Sequence, residues 1–219
     1  MNSNTPSLNR FKNILQIEDS SDRDVAIDLA LKEFRKYATL DTFLECEDLF
    51  VELLLNYPSE FPKEHTLPQV IYTLTTFGSP KAQPYLYKML RYKQPFELRR
   101  VVIGSYCYGY ERGTKNKRLL ERLFGYLINR KLPDTVRAAS AGAMLYVYYN
   151  RDEITLEQQY VAADLCNFVG DIETHTPWDE IKKILEGVGS TCYQEFLLTE
   201  LGQSVKNYEK NYRLIYPLS

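Results

Sequence analysis

Histidine and tryptophan are almost missing from this chain: two and one, respectively, in 219 residues. The histidines, His65 and His175, stand in similar contexts, "HTLPQV" and "HTPWDEI", with no cysteine or carboxylate at a metal-ligand spacing. They read as loop residues ahead of a threonine that caps the next helix, so neither a metal nor any other cofactor is expected. The four cysteines, Cys46, Cys107, Cys166 and Cys192, lie far apart and form no CxxC pair. Three fall in apolar stretches, which suits reduced, buried thiols better than a disulfide frame. Catalytic signatures are missing too: no GxSxG, no Walker loop and no GxGxxG occurs. "GYERGTKNKR" has the glycines, lysines and threonine of a phosphate loop but not their order, and it reads as a polar inter-helix loop. A non-enzyme is expected. No run approaches the roughly 18 apolar residues of a membrane span. The first residues, "MNSNTPSLNRFKNILQ", are polar and unlike a signal peptide. A soluble cytoplasmic protein with no membrane partner is the expectation. The net charge of −2 removes bulk attraction to nucleic acid or anionic lipid.

Tyrosine, in contrast, is abundant, with eighteen copies. In "GSYCYGYERG" (104–113) it alternates at Tyr106, Tyr108 and Tyr110, as in a half-buried strand. Self-comparison argues otherwise. "LRRVVIGSYCYGY" (98–110) lies over "VRAASAGAMLYVY" (136–148), pairing Arg99 with Arg137, Gly104 with Gly142, Tyr108 with Tyr146 and Tyr110 with Tyr148. "LPQVIYTLTTFG" (67–78) and "IKKILEGVG" (181–189) are weaker copies. Within the two best copies, the shared and mainly apolar positions step by three and four: Leu98, Val101, Val102, Ser105 and Tyr108, and likewise Val136, Ala139, Ser140, Ala143 and Tyr146. The alternation is therefore the tail of an amphipathic helix, with Tyr108 expected inward and Tyr106 and Tyr110 on a neighbouring face.

A second helical pattern follows each copy, and a divergent pair precedes them. That makes about ten helices in five pairs, with no strand-like segment. Punctuation agrees: Ser79-Pro80 reads as a cap and first helical position, Ser21-x-x-Asp24 and Thr155-x-x-Gln158 resemble capping boxes, and Pro95 and Pro133 open helices. The glycine shared at 104, 142 and 187 predicts close approach between helices, because mid-helix glycine otherwise costs about 0.5–1 kcal/mol. The expected organisation is a loosely ordered segment over 1–20 and a single helical-repeat domain over 21–219.

"FGSPKAQPYLYKML", "LRRVVIGSY" and "LPDTVRAASAGAMLYVY" resemble HEAT repeats. Pro133, Asp134, Val136, Arg137, Ala138 and Ala141 match the opening of that family's first helix, and Pro95, Leu98 and Arg99 match it less fully. The resemblance implies an all-α, right-handed α-solenoid of about five antiparallel helix pairs. It also implies that the second helix of each pair lines a face that grips a macromolecule.

Charge is segregated along the chain. Residues 88–137 hold thirteen Lys and Arg against four Asp and Glu. The counts are five against thirteen over 18–65 and three against eleven over 151–200. In a solenoid this order would become an acidic–basic–acidic rod. The expected acidic patches are Glu45, Glu47, Asp48 and Glu52, then Glu157 and Asp164. The expected basic face is Lys88, Arg91, Lys115, Arg118 and Arg122. Less buried tyrosines, Tyr85, Tyr87, Tyr92, Tyr106 and Tyr110, are candidate interface anchors. The function so implied is a non-catalytic protein-binding module, of inhibitor or immunity type, that masks a basic protein partner. The alternative is nucleic-acid binding through the basic face, similar to HEAT-like DNA-repair glycosylases. Such an enzyme needs an aromatic-plus-carboxylate pocket, for which Trp178-Asp179 is the single candidate pair, among acidic neighbours.

Overall fold

The computed structural model describes residues 6–56, 66–91, 95–166, 172 and 176–206, and of Arg91 the backbone only. His65, His175 and Tyr92 lie outside these residues. The described residues are all-α, with no strand among them. They gather into two compact units, Met1–Gln94 and Pro95–Ser219.

The first unit contains α1 (Leu8–Leu15), α2 (Ser20–Tyr37), α3 (Leu40–Leu55), α4 (Thr66–Thr76) and α5 (Gln83–Arg91). Helix α4 packs against both α2 and α3, and α1 against α2. Phenylalanine holds them together. Phe11 of α1, Phe34 of α2 and Phe50 of α3 meet edge to face at centroid distances of 5.1–5.6 Å. Phe77, just past α4, stacks on Phe43 at 4.7 Å. Edge-to-face rings gain about 0.5–1.5 kcal/mol each beyond area burial. Within the stretch expected to be loose, Leu8–Leu15 is thus a docked helix: Ser7 caps it and Phe11 is buried.

The second unit contains α6 (Phe96–Tyr110), α7 (Lys117–Ile128), α8 (Asp134–Tyr148), α9 (Leu156–Cys166), α10 (Trp178–Gly187) and α11 (Cys192–Phe196). Helix α8 is its centre, in contact with α6, α7, α9 and α10. That position explains "RAASAGAM": with neighbours on four sides, small side chains let every face come close, and 136–145 are all buried. Pro95 and Pro133 occupy the N-cap positions of α6 and α8, as their placement in the sequence suggests. Arg137, itself buried, donates Nε–H to the Leu127 carbonyl at 2.8 Å and pairs with Asp134 at 2.7 Å. It thereby satisfies a carbonyl of the last turn of α7, which no intrahelical donor reaches.

The expected orientation of the tyrosines is reversed. Tyr106 is 3% exposed and Tyr108 is 40% exposed. Helix α6 is enclosed by more than one neighbour, α8 and α9, so Ile103, Tyr106 and Cys107 are buried beside Val101, Val102 and Ser105. Tyr108 instead meets Tyr146 edge to face at 5.2 Å, with the Arg112 guanidinium over both rings.

The capping readings divide. Thr155 and Gln158 exchange both bonds of a capping box, at 3.0 and 3.1 Å. Ser79 accepts the Ala82 N–H at 3.1 Å. Helix α2, however, is capped by Asp19 rather than Ser21, because the helix begins at Ser20, two residues earlier than a Ser21 cap would place it. Thr176 does not cap α10: its hydroxyl donates back to the Ile172 carbonyl, and Pro177 takes the N-cap position. Thr66 lies within α4, with its hydroxyl buried and unbonded. The second helical pattern that follows 181–189 is interrupted within the described residues by a turn at 197–199, between α11 and helical residues 200–206.

Candidate functional site

Each candidate residue is placed by its own unit. Helix α3 carries Glu45, Glu47, Asp48 and Glu52, and α9 carries Glu157 and Asp164. Lys88 and Arg91 are on α5, in the first unit, while Arg118 and Arg122 are on α7, in the second.

The acidic group on α3 is not uniform. Glu45, Asp48 and Glu52 are exposed, but Glu47 is 3% exposed and points into the unit. Its carboxylate accepts the Ser79 hydroxyl at 2.5 Å and has the Lys81 ammonium 3.6 Å away. Ser79 in turn caps the turn into α5. Glu47 therefore ties α3 to the 79–82 turn, and a buried carboxylate so held presents nothing to a partner. Lys81 also pairs with Asp48 at 2.6 Å, a bond that raises the lysine pKa above its ordinary value. Asp41, Glu45 and Glu52 have no cation within pairing distance among the described residues.

This arrangement makes a stability prediction. Glu47→Ala leaves the Ser79 hydroxyl buried without its acceptor, so the urea midpoint should show a loss of about 2 kcal/mol. Asp48→Ala removes an exposed pair and should change stability by less than about 0.5 kcal/mol. Equal losses in the two variants would show that Glu47 has no such structural role.

Exposed apolar residues complete the outward side of α3. Leu40, Leu44 and Leu55 are each about half exposed, and Val51 is half-buried. Sequence reasoning missed these, because a leucine-rich helix reads as core. The available signal was the dipeptide order Leu40-Asp41, Leu44-Glu45 and Val51-Glu52, which sets an apolar row beside an acidic one. The exposed side of α9 has the same order on a smaller scale: Leu156 and Tyr160 stand out beside Glu157 and Asp164.

The basic residues are more occupied than the acidic ones. Lys115 is not on a helix but in the loop before α7, in a left-handed conformation (φ 51°). Its N–H donates to the Val147 carbonyl at 2.9 Å. Its ammonium lies 3.6 Å from Glu153 and 5.2 Å from the Tyr148 ring centroid. Gly113 donates to the Tyr146 carbonyl at 3.0 Å, so the polar loop serves to satisfy the end of α8. Arg118 is exposed and Arg122 half-buried, one turn apart on α7. Lys88 is exposed with its ammonium near the Tyr85 ring.

Of the tyrosine anchors, Tyr85 is exposed, Tyr87 and Tyr110 are half-buried, and Tyr106 is buried with its hydroxyl directed to Glu111. Trp178 is buried and stacks on Phe196 at 5.4 Å, so it lines no open pocket beside Asp179. No cluster of three or more His, Cys, Asp and Glu that could hold a metal occurs among the described residues. Nor is any helix among them long and apolar enough to cross a membrane. Compared with family models, with curated proteins and with solved structures, the chain matches none.

Proposed function

We propose that the chain is a non-catalytic helical-repeat protein that binds and masks a basic protein partner, as an inhibitor or immunity-type protein does, in the cytoplasm. One observation carries the reading: α3 sets Asp41, Glu45 and Glu52, which have no cation within pairing distance among the described residues, beside a row of exposed leucines. Acid alone is an ordinary solvated face. Acid beside apolar residues that water would otherwise cover is the composition of an interface, in which charge selects the partner and apolar area holds it. The smaller face of the same order on α9 supports it.

The proposed architecture is a HEAT-like right-handed solenoid. Its support is the repeat between α6 and α8, their shared proline N-caps, and their direct packing. The glycines at the shared position add to it, since each sits against another element: Gly104 and Gly142 against α9, and Gly187 against Tyr148.

The test uses the protein as bait in lysate of its own host, with and without nuclease treatment, beside a variant carrying Glu45→Lys, Glu52→Lys, Glu157→Lys and Asp164→Lys. The expected result is a stoichiometric basic protein, retained by the parent and lost by the variant, with unchanged thermal unfolding of the variant. Retention that vanishes on nuclease treatment would move the assignment to nucleic acid held by Arg118 and Arg122. In that case log affinity should fall steeply with log salt, by about 0.9 per phosphate contact.

A further inference from the structure

The two rows on α3 run parallel along its whole length. At 3.6 residues per turn, Leu40, Leu44, Val51 and Leu55 fall in a strip about 60° wide, and Asp41, Glu45, Asp48 and Glu52 in an equal strip directly beside it. From Leu40 to Leu55 the rows extend about 22 Å, at roughly 1.5 Å per residue. On its other side the apolar strip continues into the core through Leu54, so water borders it only on the acidic side.

We infer that this face seats an amphipathic cationic helix of the partner protein. Its apolar residues, spaced by three and four, would lie on the leucine strip, and its flanking Lys and Arg would meet the acidic row. The inference rests on the binding reading above and narrows it to one secondary structure. Three features select a helix. The backbone groups of α3 are used within it, so the face offers no edge to an added strand. The carboxylates repel phosphate, which excludes a nucleic-acid strand here. Two straight parallel rows over four turns are what a helix with one apolar and one cationic row complements. Neutralising Asp48 internally through Lys81 leaves Asp41, Glu45 and Glu52 as the groups that select cations.

The test measures fluorescence anisotropy of two labelled leucine–lysine peptides of about 18 residues and identical composition, long enough to hold a helix. One has leucines at helical spacing, and in the other the order is shuffled. The full chain should bind the patterned peptide at least about tenfold more tightly than the shuffled one. Leu40→Ser with Leu44→Ser should weaken the patterned peptide by about tenfold, the loss of one interface anchor or more. Glu45→Gln with Glu52→Gln should weaken it several-fold and flatten its salt dependence. All four positions are exposed, and circular dichroism melting would verify that the variants stay folded.

Equal affinity for the two peptides, or indifference to the leucine substitutions, overturns the helix seat while leaving a charge-driven basic partner standing. Failure to bind either peptide, with a basic protein still captured from lysate, overturns it as well. Self-association of the parent in sedimentation, abolished by the leucine substitutions, would assign the face to a second copy and overturn it too.

Discussion

At pH 10 the protein is expected to unfold at a much lower urea concentration than at pH 7. Burial pushes the Cys46 thiol up to about 11 and the Cys166 thiol up to about 12. Burial also raises Cys107 well above its ordinary value, with Cys166 and Glu111 adding to the shift. In the unfolded chain a thiol titrates near about 8.5. Below that pH both states hold the proton and stability is flat. Above it the unfolded chain releases protons that the folded chain retains, so stability falls as pH rises. Each thiol then costs about 2 kcal/mol by pH 10. The raised Tyr146 phenol, which burial shifts more than any neighbour does, extends the decline above pH 10.

A variant with Cys46, Cys107 and Cys166 replaced by alanine should lose most of the slope between pH 8 and 10 while keeping the fold at pH 7. A parent whose urea midpoint is level from pH 7 to 10 would show that these thiols reach water in the folded chain. Reagents that need the thiolate should for the same reason label these three slowly at neutral pH.

The second large effect is expected at Gly142. A Cβ placed there would lie 2.5 Å from the Ala162 carbonyl oxygen, 2.9 Å from the Cys166 sulfur and 3.2 Å from the Leu165 Cβ. The first of these is backbone, so relief requires α8 and α9 to separate along a shared contact. Overpacking of this kind costs about 1–3 kcal/mol, and a branched side chain more. Gly142→Val should therefore lose about 3 kcal/mol or more in urea unfolding. Gly142→Ala should also lose stability, despite alanine's better helix propensity.

The same substitution elsewhere separates packing from propensity. Gly125, on the exposed side of α7, has nothing within 4 Å of its hypothetical Cβ. Gly125→Ala should gain about 0.5–1 kcal/mol. Gly104 is intermediate, since its Cβ would meet only the Cys166 side chain, with the sulfur at 3.3 Å. A gain at Gly142 equal to that at Gly125 would sink the close-approach account.

Much of the helical framework was legible because it is local. The three-and-four spacing of "VRAASAGAMLYVY", the prolines at 95 and 133, and the Thr155–Gln158 box act within a turn or two, and the structure has α6, α8 and α9 where these signals put them. Gly104 and Gly142 were legible for another reason. A mid-helix glycine is unfavourable unless a neighbour requires it, so its recurrence at one repeat position points to a contact, and α9 is the element in contact.

The facing of side chains was less legible, because it depends on how many helices surround a given one. Tyr106 and Tyr108 are two residues apart on the same helix, and only the enclosure of α6 decides that the first is buried. Glu47 reads in sequence as one of four acidic residues on a helix. Its removal from the surface depends on Ser79 and Lys81, more than thirty positions away. The leucines of α3 are no more legible: nothing local tells Leu53 and Leu54, which are buried, from Leu40, Leu44 and Leu55, which the packing of α3 leaves outside.

By itself the sequence determined the all-helical class, the positions of most helices and the separation of acidic from basic segments. These follow from backbone propensity, capping and composition, which operate over a few residues at a time. The tertiary structure alone decided which charges are held in internal bonds, which tyrosine of an alternating set is covered, and which leucines remain against water. Those outcomes depend on neighbours supplied by distant parts of the chain, and no local pattern encodes them.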